Sequence, residues 1–206
     1  MQIMPMVVGP IQANCFILGC EKTKEAVVID PGDEANRILS GLQKKGLELK
    51  YIINTHGHFD HVGGNKALKD KTGAPILIHR AEAPMLDHLA ESAAVWGMRI
   101  ENSPPADRLL EDGDQITFGE ITLEVIHTPG HSLGGIALFT PNDLFVGDTL
   151  FAGSIGRTDF PGGDYDTLIA SVRKRLFVLS DDVRVFPGHG PETTIGTEKK
   201  YNPFFH

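Results

Sequence analysis

The sequence has little positive charge and no long apolar run. Its 206 residues include 19 Lys and Arg against 27 Asp and Glu, which gives a formal net charge of −8. Nucleic-acid binding needs a basic face, so the charge argues against that partner. No stretch approaches the ~18–20 apolar residues of a membrane span, which argues against a membrane partner.

Cysteine is also scarce. Cys15 and Cys20 are the only two, and five residues apart in one strand-like segment they point to opposite faces. We therefore expect reduced thiols packed as small apolar groups, not a disulfide. The N-terminal segment carries no Lys or Arg ahead of an apolar stretch and contains Pro5, Gly9 and Pro10, so it predicts strands and no signal peptide. These features predict a cytoplasmic protein.

Signals of a nucleophilic serine or cysteine enzyme are missing too. There is no G-x-S-x-G elbow, and neither cysteine has an activating base in its own segment. A hydrolytic reaction in this chain would need another source of the nucleophile.

Apolar periodicity predicts an α/β protein. A helix is predicted from Ala35, with Asp33 as N-cap and Gly46 as stop, and two more over 63–71 and about 164–178. The segment 82–106 is helix-like through Met98 and is then broken by two prolines; a lid and an edge excursion both stay open. With no repeat or linker, we expect a single domain over 1–206. Short apolar runs predict strands at 13–18, 25–30, 49–54, 75–79, 121–127, 135–140, 143–147 and 183–187.

Polar residues that can bind metals crowd the stretch THGHFDHVGG, residues 55–64. His56 and His58, two apart in an extended segment, can face one point, and Asp60 with His61 can face a neighbouring point one turn later. Three further candidates follow predicted strands: His131, Asp148 and His189. Ligands collect beyond the carboxyl ends of strands in α/β folds. Seven nitrogen and oxygen donors are too many for one ion but suit two if an aspartate bridges them.

Five motifs along the chain resemble the metallo-β-lactamase-fold hydrolase superfamily, and within it the small glyoxalase II-like (hydroxyacylglutathione hydrolase-like) proteins. They are VIDPG, THGHFDHVGG, TPGHSLGG, GDTLFAGSIGRTDFPGGD and FPGHG. The resemblance implies a four-layer αββα sandwich. It also implies that Asp148 bridges two metals and that Asp30 is a buried support that binds neither. The implied ligands are His56, His58 and His131 for one metal and Asp60, His61 and His189 for the other.

The resemblance implies a hydrolase of small acyl thioesters such as S-lactoylglutathione. Two divalent metals ~3.5–4 Å apart can share a hydroxide, and they lower the pKa of bound water far below that of free water, to about 7. The bridging hydroxide would attack the thioester, oriented by Asp60. Zinc is the expected metal; without cysteine ligands, iron and manganese stay open.

The motifs give less information about which substrate the protein binds than about its metal ligands. Arg157 resembles the basic residue that holds a glutathione carboxylate in glyoxalase II, but an ion pair with Asp159 or Asp164 is equally compatible with the sequence. Only 17 residues follow His189, whereas typical glyoxalase II continues into a helical domain. We therefore expect a single domain without that helical part, and a broader thioester or small ester substrate stays open.

The stretch GRTDF also occurs in persulfide dioxygenases of the same fold, which use a single iron. The presence of His61 and His189 favours a second metal and hence the hydrolase. Three further functions have less support: a flavodiiron protein would carry Glu in place of His58, a nuclease would be more basic, and a non-catalytic module would not need seven ligands.

Overall fold

The structure of the protein, a computed structural model, describes all residues 1–206. Its contacts divide the chain into two compact units. The first comprises Met1–Leu110 with Thr117–Thr122, and the second comprises Glu111–Ile116 with Leu123–His206. The single domain over 1–206 stays a prediction. No helix in the structure combines the length and the apolar character needed to cross a membrane.

A six-stranded mixed sheet forms the first unit. The strands, in spatial order, are β1 (Gln2–Val8), β2 (Ala13–Gly19), β3 (Glu25–Ile29), β4 (Glu48–Asn54), β5 (Ile76–His79) and β6 (Arg108–Leu110). The first three pair antiparallel, whereas β3 to β6 run parallel. The carboxyl ends of β3, β4 and β5 therefore lie at one edge of the sheet, and the residues that follow them emerge together.

Four helices accompany this sheet: α1 (Ala35–Lys45), α2 (Phe59–Val62), α3 (Asn65–Thr72) and α4 (Leu89–Val95). The buried face of α1 carries Ile38 and Leu42, and Gly46 ends the helix, as predicted. The prediction that Asp33 is the N-cap is wrong. Glu34 occupies that position, and the Asp33 carboxylate accepts the N–H of Glu34, one residue before the helix begins.

The segment 82–106 folds against the core of the first unit. It opens with a 3-10 turn, Ala83–His88, and continues as α4, with Leu86 and Leu89 fully buried. The part of the segment that follows α4 is held by a hydrogen bond, in which Asn65 Nδ2 donates to Ser103 Oγ at 3.1 Å. The helix ends three residues before Met98, the predicted limit, because the chain turns at Gly97 with a φ of 73°.

A second six-stranded sheet centres on the second unit. Its order is β14 (Thr193–Thr194), β13 (Arg184–Pro187), β10 (Asp143–Gly147), β9 (Ile136–Phe139), β8 (Ile121–His127) and β7 (Gln115–Phe118). A small hairpin pairs β11 (Leu150–Phe151) with β12 (Ser154–Ile155). The helical segments are α5 (Tyr165–Ser171), a π-turn Val172–Leu176, α6 (Ile195–Tyr201) and a 3-10 turn Pro203–Phe205.

Most of the predicted elements are confirmed. Every strand predicted from an apolar run is present within two residues of its expected limits, and the N-terminal segment forms β1 and β2. Cys15 and Cys20 are both buried and not bonded to each other, as expected. The shortest strands and α6 were not predicted, because two to seven residues carry too little periodicity.

Candidate metal centre

Three imidazoles cluster in the loop that follows β4. The ring centroid of His56 lies 4.7 Å from that of His58 and 4.2 Å from that of His61. His56 and His61 are buried, and His58 is half-buried. The Asp60 carboxylate lies beside them, with Oδ2 3.5 Å from His61 Nε2. The four candidate ligands of the H-x-H-x-D-H motif are therefore close together in the first unit.

The carboxylate of Asp30 orders this loop from the end of β3. It accepts the backbone N–H of Thr55 at 2.7 Å and the Thr55 hydroxyl at 2.6 Å. Its Oδ2 also lies 3.2 Å from His61 Nδ1. Because a carboxylate only accepts, His61 is protonated at Nδ1 and keeps a lone pair at Nε2. Asp30 therefore sets the tautomer of one candidate ligand.

Thr55 fixes the tautomer of His56 in a similar way. The Thr55 hydroxyl gives its single proton to Asp30, so it accepts from His56 Nδ1, which lies 3.0 Å away. The lone pair of His56 is then at Nε2, the form of a metal-binding imidazole. One buried carboxylate thus orients two histidines, one of them through a threonine.

The backbone around Asp30 is unusually constrained. Asp30 itself has a φ of 50°, in the left-handed region. A Cβ at Gly32 would lie 1.6 Å from the carbonyl oxygen of Asp60. Only glycine therefore allows the turn after β3 to pack directly on residues 55–61, the loop that carries the candidate ligands (the ligand loop). Strained and tightly packed backbone of this kind is typical of functional sites.

The candidate ligands of the second unit follow two parallel strands. β10 and β13 pair in parallel register, so Asp148 and His189 emerge at the same edge of the sheet. The two loops are tied where Gly188 donates its N–H to the Gly147 carbonyl at 2.7 Å. Asp148 Oδ2 lies 3.7 Å from His189 Nε2.

His131 reaches the same carboxylate from the loop after β8. Its Nδ1 donates to the carbonyl of Arg157 at 2.7 Å, which leaves the lone pair at Nε2. That Nε2 lies 3.7 Å from Asp148 Oδ2. A single carboxylate oxygen is therefore equidistant from the Nε2 atoms of His131 and His189.

Within each unit, these separations suit two ligands of one cation. An N–H···O hydrogen bond spans 2.7–3.2 Å, so contacts of 3.5–3.7 Å between imidazole nitrogen and carboxylate oxygen are too long for one. Two ligands of a tetrahedral ion at ~2.1 Å each are about 3.4 Å apart. The residues present therefore fit divalent metal ions in donor type, tautomer and spacing.

Arg157 forms an ion pair within its own loop. Its Nε and Nη2 each donate to the Asp159 carboxylate at 2.8 Å, and the guanidinium lies 3.6 Å from the centroid of the Phe160 ring. The hydrogen bond from Arg157 lowers the pKa of Asp159 to about 2. The structure thus contains the predicted pair with Asp159, whereas binding of a substrate carboxylate stays a prediction.

Two buried residues near the ligands were not predicted. Thr55 links Asp30 to His56, and its only sequence signal is its position directly before the first histidine. Glu82 is fully buried and accepts the N–H of Gly57 at 2.8 Å. It follows β5 with no metal-binding motif of its own, so its place depends on the pairing of β4 with β5.

Comparison with known proteins gives a consistent match. The model of the Metallo-beta-lactamase superfamily matches residues 8–189. Hydroxyacylglutathione hydrolase GloC of Haemophilus influenzae is 39% identical over 210 residues, covering 100% of this chain and 99% of the relative.

Two solved structures are similar over nearly their whole length. BLEG-1 B3 metallo-beta-lactamase has a TM-score of 0.93 and 39% identity, with 99% of each chain covered. TTHA1623 in a di-iron-bound form has a TM-score of 0.90 and 41% identity, with 98% of this chain and 99% of that chain covered.

Replacement of Asp30 tests the ordering of the ligand loop. We expect Asp30→Ala to lower the free energy of unfolding by at least about 3 kcal/mol, because three buried donors (the Thr55 N–H, the Thr55 hydroxyl and His61 Nδ1) each lose their acceptor at about 1–3 kcal/mol. Chemical denaturation of the metal-free protein measures the effect. Asp33→Ala, three residues away and exposed, is the control and should cost no more than ~1 kcal/mol. Equal costs for the two variants would contradict the role of Asp30.

Proposed function

The chain belongs to the metallo-β-lactamase superfamily, as its five motifs predicted, and on that premise we propose that it is a metal-dependent hydrolase of small acyl thioesters. The predicted metallo-β-lactamase fold is confirmed by the match of the family model and by the two solved structures. The reaction, the substrate class and the ligand roles below are the content of the proposal.

The observation that carries the proposal is the position of the Asp148 carboxylate, whose Oδ2 is 3.7 Å from the Nε2 atoms of both His131 and His189. In the proposed centre the Asp148 carboxylate would be a ligand common to both divalent ions. Asp148 would bridge the two ligand sets that the motifs predict: His56, His58 and His131 for one ion, and Asp60, His61 and His189 for the other.

When bound, a pair of divalent ions supplies hydroxide at neutral pH and polarises the carbonyl of the substrate. The chain's own residues would do the rest. The carboxylate of Asp60 accepts a hydrogen bond from the attacking water and orients it. Asp30 and Thr55 hold the Nδ1 protons of His61 and His56, so that the lone pair of each imidazole is at Nε2 when it binds a metal. A thiolate leaves readily, with a parent pKa near 8.5, so a strong general acid is not required.

The relatives support a thioester as the substrate and leave the metal open. The similarity to hydroxyacylglutathione hydrolase GloC over both full lengths favours a glutathione-linked acyl thioester. Histidine and carboxylate donors suit zinc, iron and manganese. The di-iron-bound form of TTHA1623 supports iron as a second candidate beside zinc. A cytoplasmic location would suit a small-molecule partner of this kind.

An assay on one purified sample tests the proposal. We expect hydrolysis of S-D-lactoylglutathione with about two metal ions per chain, and we expect chelation to leave below ~1% of the activity, because no side-chain base replaces the lowered pKa of water. Added Zn²⁺ or Fe²⁺ should restore it. Activity that survives complete metal removal would refute the mechanism.

The same sample separates the rival functions. Oxygen uptake on glutathione persulfide with one iron per chain would instead support the dioxygenase that the GRTDF stretch suggests. Faster turnover of a β-lactam than of the thioester would support the activity named for BLEG-1. Either result would contradict the thioesterase.

Substitution of Arg157 tests whether it contributes to substrate binding. If its guanidinium also holds a substrate carboxylate, Arg157→Ala should raise KM about 10-fold for a carboxylate-bearing thioester, since a hydrogen bond to a charged group contributes ~1.5–3 kcal/mol. A neutral thioester should change less than about twofold. Arg175→Ala, which removes another exposed arginine paired with an aspartate, is the control. Equal effects on both substrates would limit Arg157 to its pair with Asp159.

A further inference from the structure

Glu82 is a buried carboxylate at the ligand loop to which the proposed mechanism gives no role. Its relative exposure is 0%, and its Oε2 accepts the N–H of Gly57 at 2.8 Å. Gly57 is the single residue between His56 and His58. The contact therefore acts on the short piece of backbone from which both imidazoles project.

Strand register explains how Glu82 reaches this position. β4 and β5 pair in parallel, with Asn54 opposite Ile78. Both strands end at that edge of the sheet, and Gly57 and Glu82 lie a few residues beyond their ends. A turn holds the backbone of Glu82, which donates its N–H to the His79 carbonyl and accepts from the Met85 N–H, both at 2.9 Å. The backbone position from which the Glu82 carboxylate projects is therefore fixed.

Packing at Gly57 gives a second, independent sign of close contact. A Cβ at this position would lie 2.8 Å from Met85 Cβ and 3.2 Å from Glu82 Oε2. The 82–85 turn therefore lies directly on the ligand loop, and glycine between the histidines is a consequence of that packing. Asp30 holds the same loop two residues earlier, at Thr55.

We propose that Glu82 is a positioning residue for the metal ligands His56 and His58. Its hydrogen bond fixes Gly57, which sets the directions of the two imidazoles, and its negative charge favours a cation beside them. Because Glu82 opens the segment 82–106, that segment is joined at its start to the ligand loop. The inference rests on the proposed metal centre and does not depend on the substrate.

Zinc affinity of three variants tests this role. Glu82→Ala removes both the acceptor and the charge, whereas Glu82→Gln keeps an oxygen that can accept from Gly57. We expect zinc affinity, measured by competition with a chelator, to fall about 10–100-fold in Glu82→Ala, the range seen when residues that support metal ligands are replaced. In Glu82→Gln it should fall less. Glu91→Gln removes an exposed carboxylate of the same segment and should leave affinity within about twofold.

Thermal unfolding of the metal-free proteins separates positioning from general stability. Glu82→Gln should have a metal-free Tm close to that of the wild type while its zinc affinity is lower. Wild-type affinity in Glu82→Gln and in any folded Glu82→Ala, or a loss confined to the metal-free Tm, would overturn the inference. If Glu82→Ala does not fold, Glu82→Leu, which removes the acceptor of the Gly57 N–H but keeps most of the side-chain volume, takes its place.

The competition assay uses no substrate, so failure of the two proposals can be told apart. A wild-type chain that binds no metal would refute the proposed function. A wild-type chain that binds zinc with unchanged affinity in the folded Glu82 variants would refute only the positioning role.

Discussion

Imidazole nitrogens and carboxylate oxygens held 3.5–3.7 Å apart are the feature on which the candidate centre depends. The spacing is too long for hydrogen bonds and close to that of two ligands on one cation. Such groups need rigid supports to keep this spacing. Here they project from loops at the carboxyl ends of parallel strands, where backbone ladders fix the position at which each loop starts.

Buried hydrogen bonds fix the conformation of the loops themselves. Asp30 is hydrogen-bonded to Thr55 and His61, and Glu82 accepts a hydrogen bond from Gly57. Two carboxylates, one after β3 and one after β5, therefore hold the ligand loop. The left-handed backbone at Asp30 and the lack of space at Gly32 show that local conformational freedom has been given up for this arrangement. Precise histidine tautomers and directions are what a metal centre gains from it.

Much of this could be predicted from the sequence, because the chemistry is concentrated in motifs. Spacing and strand ends alone singled out the H-x-H-x-D-H stretch and the residues after β10 and β13 as candidate ligands, and their role as ligands stays a prediction. Residues that act through tertiary contacts could not be found that way. Glu82 depends on the register of β4 with β5, and Thr55 is an ordinary polar residue until its bond to Asp30 is seen. The N-cap of α1 was wrongly assigned to Asp33, because the pattern does not reveal that Glu34 adopts a left-handed conformation directly before the first helical residue.

The central claim is that Asp148 joins two metal ions, and anomalous diffraction from metal-loaded crystals tests it most directly. The account predicts two anomalous peaks about 3.5–4 Å apart, each about 2.0–2.2 Å from an oxygen of Asp148. A single peak in fully loaded crystals, or two peaks with Asp148 bound to only one, would contradict it.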